Sequence, residues 1–157
     1  MTSNDFEYKI VHAWNDYFKE NNITGYAYRR KQSRFQSQVV DVLVDSPDIG
    51  YHAIECKSKK SEYGKRLNFK SAFPSTDDGH QIPRTTKFAE MTGRTPILAV
   101  EYRHGRGKPR EANLWQWNEV KKLFSQDEAK SIAPKHLKKY RYNVIREGSA
   151  YQIVKDQ

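Results

Sequence analysis

The apolar residues near the start of the chain recur at helical spacing. Phe6, Ile10, Val11, Trp14, Tyr17 and Phe18 fall on one side of a helix over about Asp5 to Asn21, so that side faces a core. Asn4 and Glu7 fit a capping box at its start. The pattern then changes to short strand-like runs. "GYAYRR" (Gly25–Arg30) reads as a first strand and "QVVDVLVD" (Gln38–Asp45) as a second, rich in β-branched residues. "SPDIG" is turn chemistry, and "YHAIECK" (Tyr51–Lys57) is a third strand. The stretch "SKKSEYGKRLNFKSAFPS" has no clear period and is expected to be a loop or flap. "TDDGHQIPRTTKFAEMTG" predicts a helix with Asp77 or Asp78 as its cap and Gly93 as its stop. Pro83 should lie in its first turn or mark a late start. "TPILAVEY" is a buried strand, and "RHGRGKPREAN" is a basic, glycine-rich loop. A short "LWQW" strand, a helix over about Asn118 to Gln126, and a hairpin of "YNVIRE" and "AYQIV" around Gly148 complete the chain. This order predicts an α/β sandwich around one mixed sheet, with a three-stranded meander and a helical crossover to a fourth strand.

The second and third strands can be placed in register. If "SPDIG" is the turn, Val44 faces His52 and Asp41 faces Glu55. Opposed residues of an antiparallel pair share a face. Val39, Asp41, Leu43, Ala53, Glu55 and Lys57 then lie on one face, and Val40, Val42, Val44, Ile54 and Cys56 form an apolar one. Two opposed carboxylates repel, so one must take up a proton or a cation must sit between them. Mg²⁺, with Mn²⁺ as its substitute, suits oxygen ligands of this kind, and the Cys56 carbonyl is a further candidate ligand. Lys57, one strand step beyond Glu55, could orient or help deprotonate an attacking water and stabilise transition-state charge. The bland alternative is a surface salt bridge among Asp41, Glu55 and Lys57. Acid-x-Lys occurs four times in the chain, but only Glu55–Lys57 ends a strand paired with an acid-bearing neighbour. Glu7 extends the apolar stripe of Val11, Trp14 and Phe18, so its carboxylate either reaches the metal or water beneath or serves the capping box alone.

Charge adds a partner to this picture. The net charge of +9 favours a polyanion, nucleic acid above all. Arg29, Arg30, Lys31 and Arg34 precede Asp41, while Lys59, Lys60, Lys65, Arg66 and Lys70 follow Glu55. Both clusters are placed for phosphate contacts, or else are solvated loops. Lys135, Lys138, Lys139, Arg141 and Arg146 form a third cluster, remote in sequence, that could be a second DNA-contacting face. Trp115 and Trp117 share one strand face and read as core or subunit interface rather than base-stacking groups. Cys56 is the only cysteine, which excludes an internal disulfide and a cysteine-rich zinc site. The five histidines lack metal-binding spacing. No apolar run is long enough for a membrane span, and no signal peptide is evident, so a cytoplasmic protein without membrane contact is expected.

An acid on one strand, a turn, and acid-x-Lys on the next resembles the PD-(D/E)xK nuclease superfamily, and within it the archaeal Holliday junction resolvases. Glu7, Arg30 with Ser33, Asp41, and Glu55 with Lys57 match the residues that define those enzymes; Gln81 matches a glutamine at the start of the second core helix. Val40 stands where a proline is frequent, and "KQSRFQSQ" is bulkier than the usual glycine-rich loop. The resemblance implies a restriction-endonuclease-like αβββαβ core over about residues 4–102, within a single domain of residues 1–157 that carries a C-terminal extension over 103–157. It further implies a metal-dependent endodeoxyribonuclease, a homodimer acting on branched or four-way-junction DNA. Arg29, Arg30, Lys31, Ser33, Arg34, Lys59, Lys60, Lys65, Arg66 and Gln81 would contact DNA. A restriction or repair nuclease on duplex or flap DNA is the alternative with the same chemistry. An RNA-processing enzyme on this fold and a DNA-binding module without catalysis are the others.

Overall fold

A computed structural model describes residues 3–30 and 39–156 of the chain. In chain order it contains α1 (Ser3–Glu20), β1 (Tyr26–Arg29), β2 (Val42–Asp45), β3 (His52–Lys60), and the short strands β4 (Leu67–Asn68), β5 (Ser75–Thr76) and β6 (Gly79–His80). There follow α2 (Gln81–Thr92), β7 (Thr95–Arg103), β8 (Glu111–Gln116), α3 (Asn118–Phe124), β9 (Ser131–Ile132), β10 (Tyr142–Glu147) and β11 (Ala150–Lys155). The central sheet has the order β1-β2-β3-β7-β8 and is mixed: β3 and β7 are parallel, and the other neighbours antiparallel. The αβββαβ core expected of a restriction-endonuclease-like chain is therefore present, with β8 added to its edge.

Both faces of the sheet are covered. The stripe of α1 buries Phe6, Ile10, Ala13, Trp14 and Phe18 against Val42, Val44, Ile54 and Cys56. Leu98, Val100 and Tyr102 on the other face pack with Ile82 of α2 and Val120 of α3. Trp115 and Trp117 belong to this second core, as their spacing suggested. The hairpin β10–β11 of the C-terminal extension packs on α1: Tyr142, Val144, Tyr151 and Ile153 share its core. His52 lies in that core too, its Nε2 2.7 Å from the Tyr140 hydroxyl and its ring against Trp14. Burial, with Arg141 and Arg94 nearby, lowers its pKa to about 4, so it stays neutral at ordinary pH.

Several local expectations are corrected. α1 begins at Ser3, which places Asn4 inside the helix rather than at its N-cap, and the Glu7 carboxylate bonds to Arg29, as described below. β2 starts at Val42, because the chain bends at Asp41. The bend breaks the alternation, and Val40 packs with Leu43 and Ala53 instead of joining the Val42 face. β3 continues three residues beyond Lys57, paired with β7 throughout. The segment after it is anchored: Leu67, Phe69 and Phe73 are buried, and β4 pairs with β9. α2 is capped by neither Asp77 nor Asp78. His80 Nδ1 accepts from the Ile82 amide, and its Nε2 lies 2.6 Å from the Phe69 carbonyl, tying the segment to the helix. Gly93 ends α2 with φ 69°, and Pro83 lies in its first turn.

Candidate active site

The register of β2 and β3 brings the two strand carboxylates together. Val42, Leu43 and Val44 pair with Ile54, Ala53 and His52. Asp41 continues that ladder through its own amide, which donates to the Ile54 carbonyl at 3.1 Å. Its side chain then replaces the strand that would have followed: Oδ2 accepts the Cys56 amide at 2.8 Å. In a strand the N–H and C=O of one residue point the same way. The Cys56 carbonyl is therefore directed to the Asp41 side, where β2 no longer exists to pair with it.

Glu55 is buried, and its Oε1 lies 3.4 Å from Lys57 Nζ. Its Oε2 is buried without a hydrogen-bond partner among the described residues. Burial first, and Asp41 second, push its pKa well up, with Lys57 opposing. Lys57 Nζ donates to Gln81 Oε1 at 2.9 Å and sits 4.8 Å from the centre of the Phe73 ring. Gln81 is the first residue of α2, so the crossover helix fixes the lysine. Glu7 enters from α1. Arg29 donates to its Oε2 from Nε at 3.0 Å, and Arg29 Nη2 lies 2.8 Å from the same oxygen. Burial and then Asp41 raise the Glu7 pKa to about 7, against the pull of Arg29.

Two carboxylates, Glu7 and Glu55, thus crowd around Asp41, and one oxygen of Glu55 is orphaned in the interior. A divalent cation between Asp41 and Glu55, also meeting the Cys56 carbonyl, fits this donor set. Among the described residues no three His, Cys, Asp or Glu side chains are spaced to hold a metal ion.

The strand carboxylates and Lys57 open into a cleft of about 510 Å³, whose far wall is the anchored segment, through Arg66, Asn68 and Ser71. Asn68 and Ser71 could not be singled out in the sequence; their only signal was a stretch of polar residues between aromatics. Glu101 was missed as well. It is wholly buried on β7, accepting from Ser58 Oγ (2.8 Å), Tyr151 OH (2.6 Å) and Arg110 Nη1 (3.2 Å). A carboxylate inside an otherwise apolar strand was the sign.

The residues expected to contact DNA near the site divide. Arg66, Lys59 and Gln81 line the cleft. Arg29 is engaged by Glu7 and stacks on Tyr8, Arg30 lies over Phe88, Lys65 pairs with Glu111, and Lys59 donates to the Arg66 carbonyl. Lys60 is exposed at the end of β3. Lys31, Ser33 and Arg34 lie outside the described residues.

No family model matches the sequence, and no curated protein matches it. Among solved structures, the chain is similar to Hjc, a Holliday junction resolvase of the archaeal hyperthermophile Archaeoglobus fulgidus. The two are 16% identical, with 80% of this chain and 88% of that chain covered and a TM-score of 0.47. Among the described residues no helix is long and apolar enough to cross a membrane.

The crowding has a measurable cost. Glu7 holds its proton up to about pH 7 in the folded chain and to 4.5 in the unfolded one. Between those values the folded state binds more protons, so this stabilisation is complete below 4.5 and is lost as pH rises through 7. In EDTA, urea titrations from pH 5 to 8 should show the wild type losing roughly 2–3 kcal/mol relative to Glu7→Gln. Parallel pH profiles would show that Glu7 is not held in its neutral form.

Proposed function

We propose that the protein is a metal-dependent endodeoxyribonuclease. The observation that carries this reading is the site itself. Asp41 stands beside Glu55, whose Oε2 is buried and unpaired, with Lys57 fixed beside them by Gln81 and an open cleft in front. Mg²⁺, or Mn²⁺ in its place, when held by Asp41, Glu55 and the Cys56 carbonyl, supplies Lewis-acid stabilisation of a phosphodiester and an activated water. The chain's own groups do the rest. Lys57 presents its ammonium to the attacking water and to a non-bridging phosphate oxygen, a fixed positive charge where negative charge develops. Gln81 and Phe73 limit its motion, so little reorganisation is needed at the moment of reaction. Glu7, neutralised in part by Arg29, positions Asp41 from the opposite side.

Branched DNA is the substrate this reading favours, on the resemblance carried by Glu7, Arg30, Ser33, Asp41, Glu55 and Lys57. A homodimer with two sites about a two-fold axis would place the paired nicks that resolution needs. The test is a labelled four-way junction and its matching duplex, each incubated with Mg²⁺ or EDTA. Symmetric nicks in the junction alone, absent with EDTA, are the expected result. Equal cutting of both substrates would move the function to a general nuclease. Binding without metal-dependent cutting of any DNA would overturn the enzyme.

A further inference from the structure

The parallel strands β3 and β7 end together, with Lys60 opposite Arg103. Ligands of sheets built on parallel strands collect at this carboxyl edge. Beyond it the β7–β8 turn walls a second cleft of about 450 Å³, lined by Lys60, Arg103, Arg106, Lys108 and Arg110, with Glu62 as the acid in the wall. The cleft is built rather than incidental. Arg110 is held by the buried Glu101, which Ser58 and Tyr151 hold in turn. The Lys108 amide donates to the Gly105 carbonyl, and Ser61 Oγ lies 2.7 Å from His104 Nδ1.

The cations here differ from those beside the carboxylates. Arg29 and Lys65 are committed to Glu7 and Glu111. The side chains of Lys60, Arg106 and Lys108 have no hydrogen bond or ion pair among the described residues. Uncompensated charges gathered in one concavity repel each other and are relieved by an anion. The position is equally specific. Lys59 lines the carboxylate cleft and Lys60 the basic one, because successive residues of a strand point to opposite faces. The end of β3 is thus a ridge between the two clefts. From Lys57 to Lys60 is roughly 10 Å of strand, or about three nucleotide rises along one DNA strand.

We infer that the β7–β8 cleft is a second phosphate-binding site, holding the DNA backbone a few nucleotides from the bond cleaved at Lys57. That the polyanion is DNA rests on the nuclease reading above. Arg106 and Lys108 are exposed, so their removal leaves the core intact.

The test measures binding and cutting separately. Anisotropy of a labelled duplex in EDTA, from 50 to 200 mM salt, would compare wild type with Arg106→Ala/Lys108→Ala. The control is Lys135→Ala/Lys139→Ala, which removes the same charge from another exposed face. The cleft variant should bind about 10-fold more weakly at 100 mM salt, with the salt slope reduced by about 1.8, or 0.9 per lost contact, and the control should move little. An unchanged slope, or an equal fall in both variants, overturns the site. If that occurs while wild type cuts DNA with Mg²⁺, the cleft fails and the nuclease stands. A cleft-specific fall in a protein that cuts no DNA would leave the phosphate site standing and remove the nuclease.

Discussion

Glu55→Gln is expected to reduce Mg²⁺-dependent DNA cleavage by at least roughly 10³-fold, while making the metal-free protein more stable at pH 8 by about 1–2 kcal/mol. The two effects share a cause. Glu55 is buried beside Asp41 with one oxygen unpaired, so a charged carboxylate there is costly without a cation. An amide of the same shape removes the repulsion and, with it, a ligand. Asp41→Asn should lose activity similarly but gain less stability, because Asp41 also accepts the Cys56 amide. Mg²⁺ should raise the melting temperature of the wild type and leave that of Glu55→Gln unchanged. This readout does not depend on the substrate chosen. A Glu55→Gln protein that cuts at the wild-type rate, or that is shifted by Mg²⁺ like the wild type, would remove Glu55 from the site.

The hairpin was readable because its information is local. Two strand-like runs on either side of the turn "SPDIG" allow one register, and the observed pairing of Val44 with His52 is the expected one. Carrying it to Asp41 and Glu55 located the carboxylates, and the helical stripe placed Glu7 facing inward. The errors lie where local pattern has no authority. The bend at Asp41 reverses Val40, and no alternation rule announces a bend. The aromatic residues of the segment after β3 have no period, and their burial depends on β9, far along the chain. In the sequence Arg29 is one of a basic cluster, with nothing to mark an acid partner. Only the packing of α1 on β1 shows that it is committed to Glu7. Charge counts find basic residues, but only tertiary structure shows which of them remain unpaired.

Phe73→Ala is expected to cost about 3–5 kcal/mol of stability, and to lower cleavage further than unfolding explains. Phe73 is completely buried, with Leu67, Phe69, Ile82 and Trp117 in the same cluster. Its ring also lies beneath the Lys57 ammonium at 4.8 Å. The side chain therefore holds the wall of the cleft and seats the lysine that faces it. Phe73→Leu separates these roles: it keeps most of the packing at about 1–2 kcal/mol, but removes a cation–ring contact worth about 0.5–2 kcal/mol. Cleavage by Phe73→Leu, measured well below its melting temperature, should fall about 5- to 10-fold. Ile132→Ala is the control, since Ile132 is in the same cluster, outside the cleft lining and opposite Leu67 rather than Lys57. It should lose stability and keep its rate. Equal rates for Phe73→Leu and wild type would mean that Gln81 and Glu55 alone hold the lysine. A rate loss in Ile132→Ala as large as that in Phe73→Leu would mean that the cleft wall matters as a whole, and the ring beneath Lys57 does not.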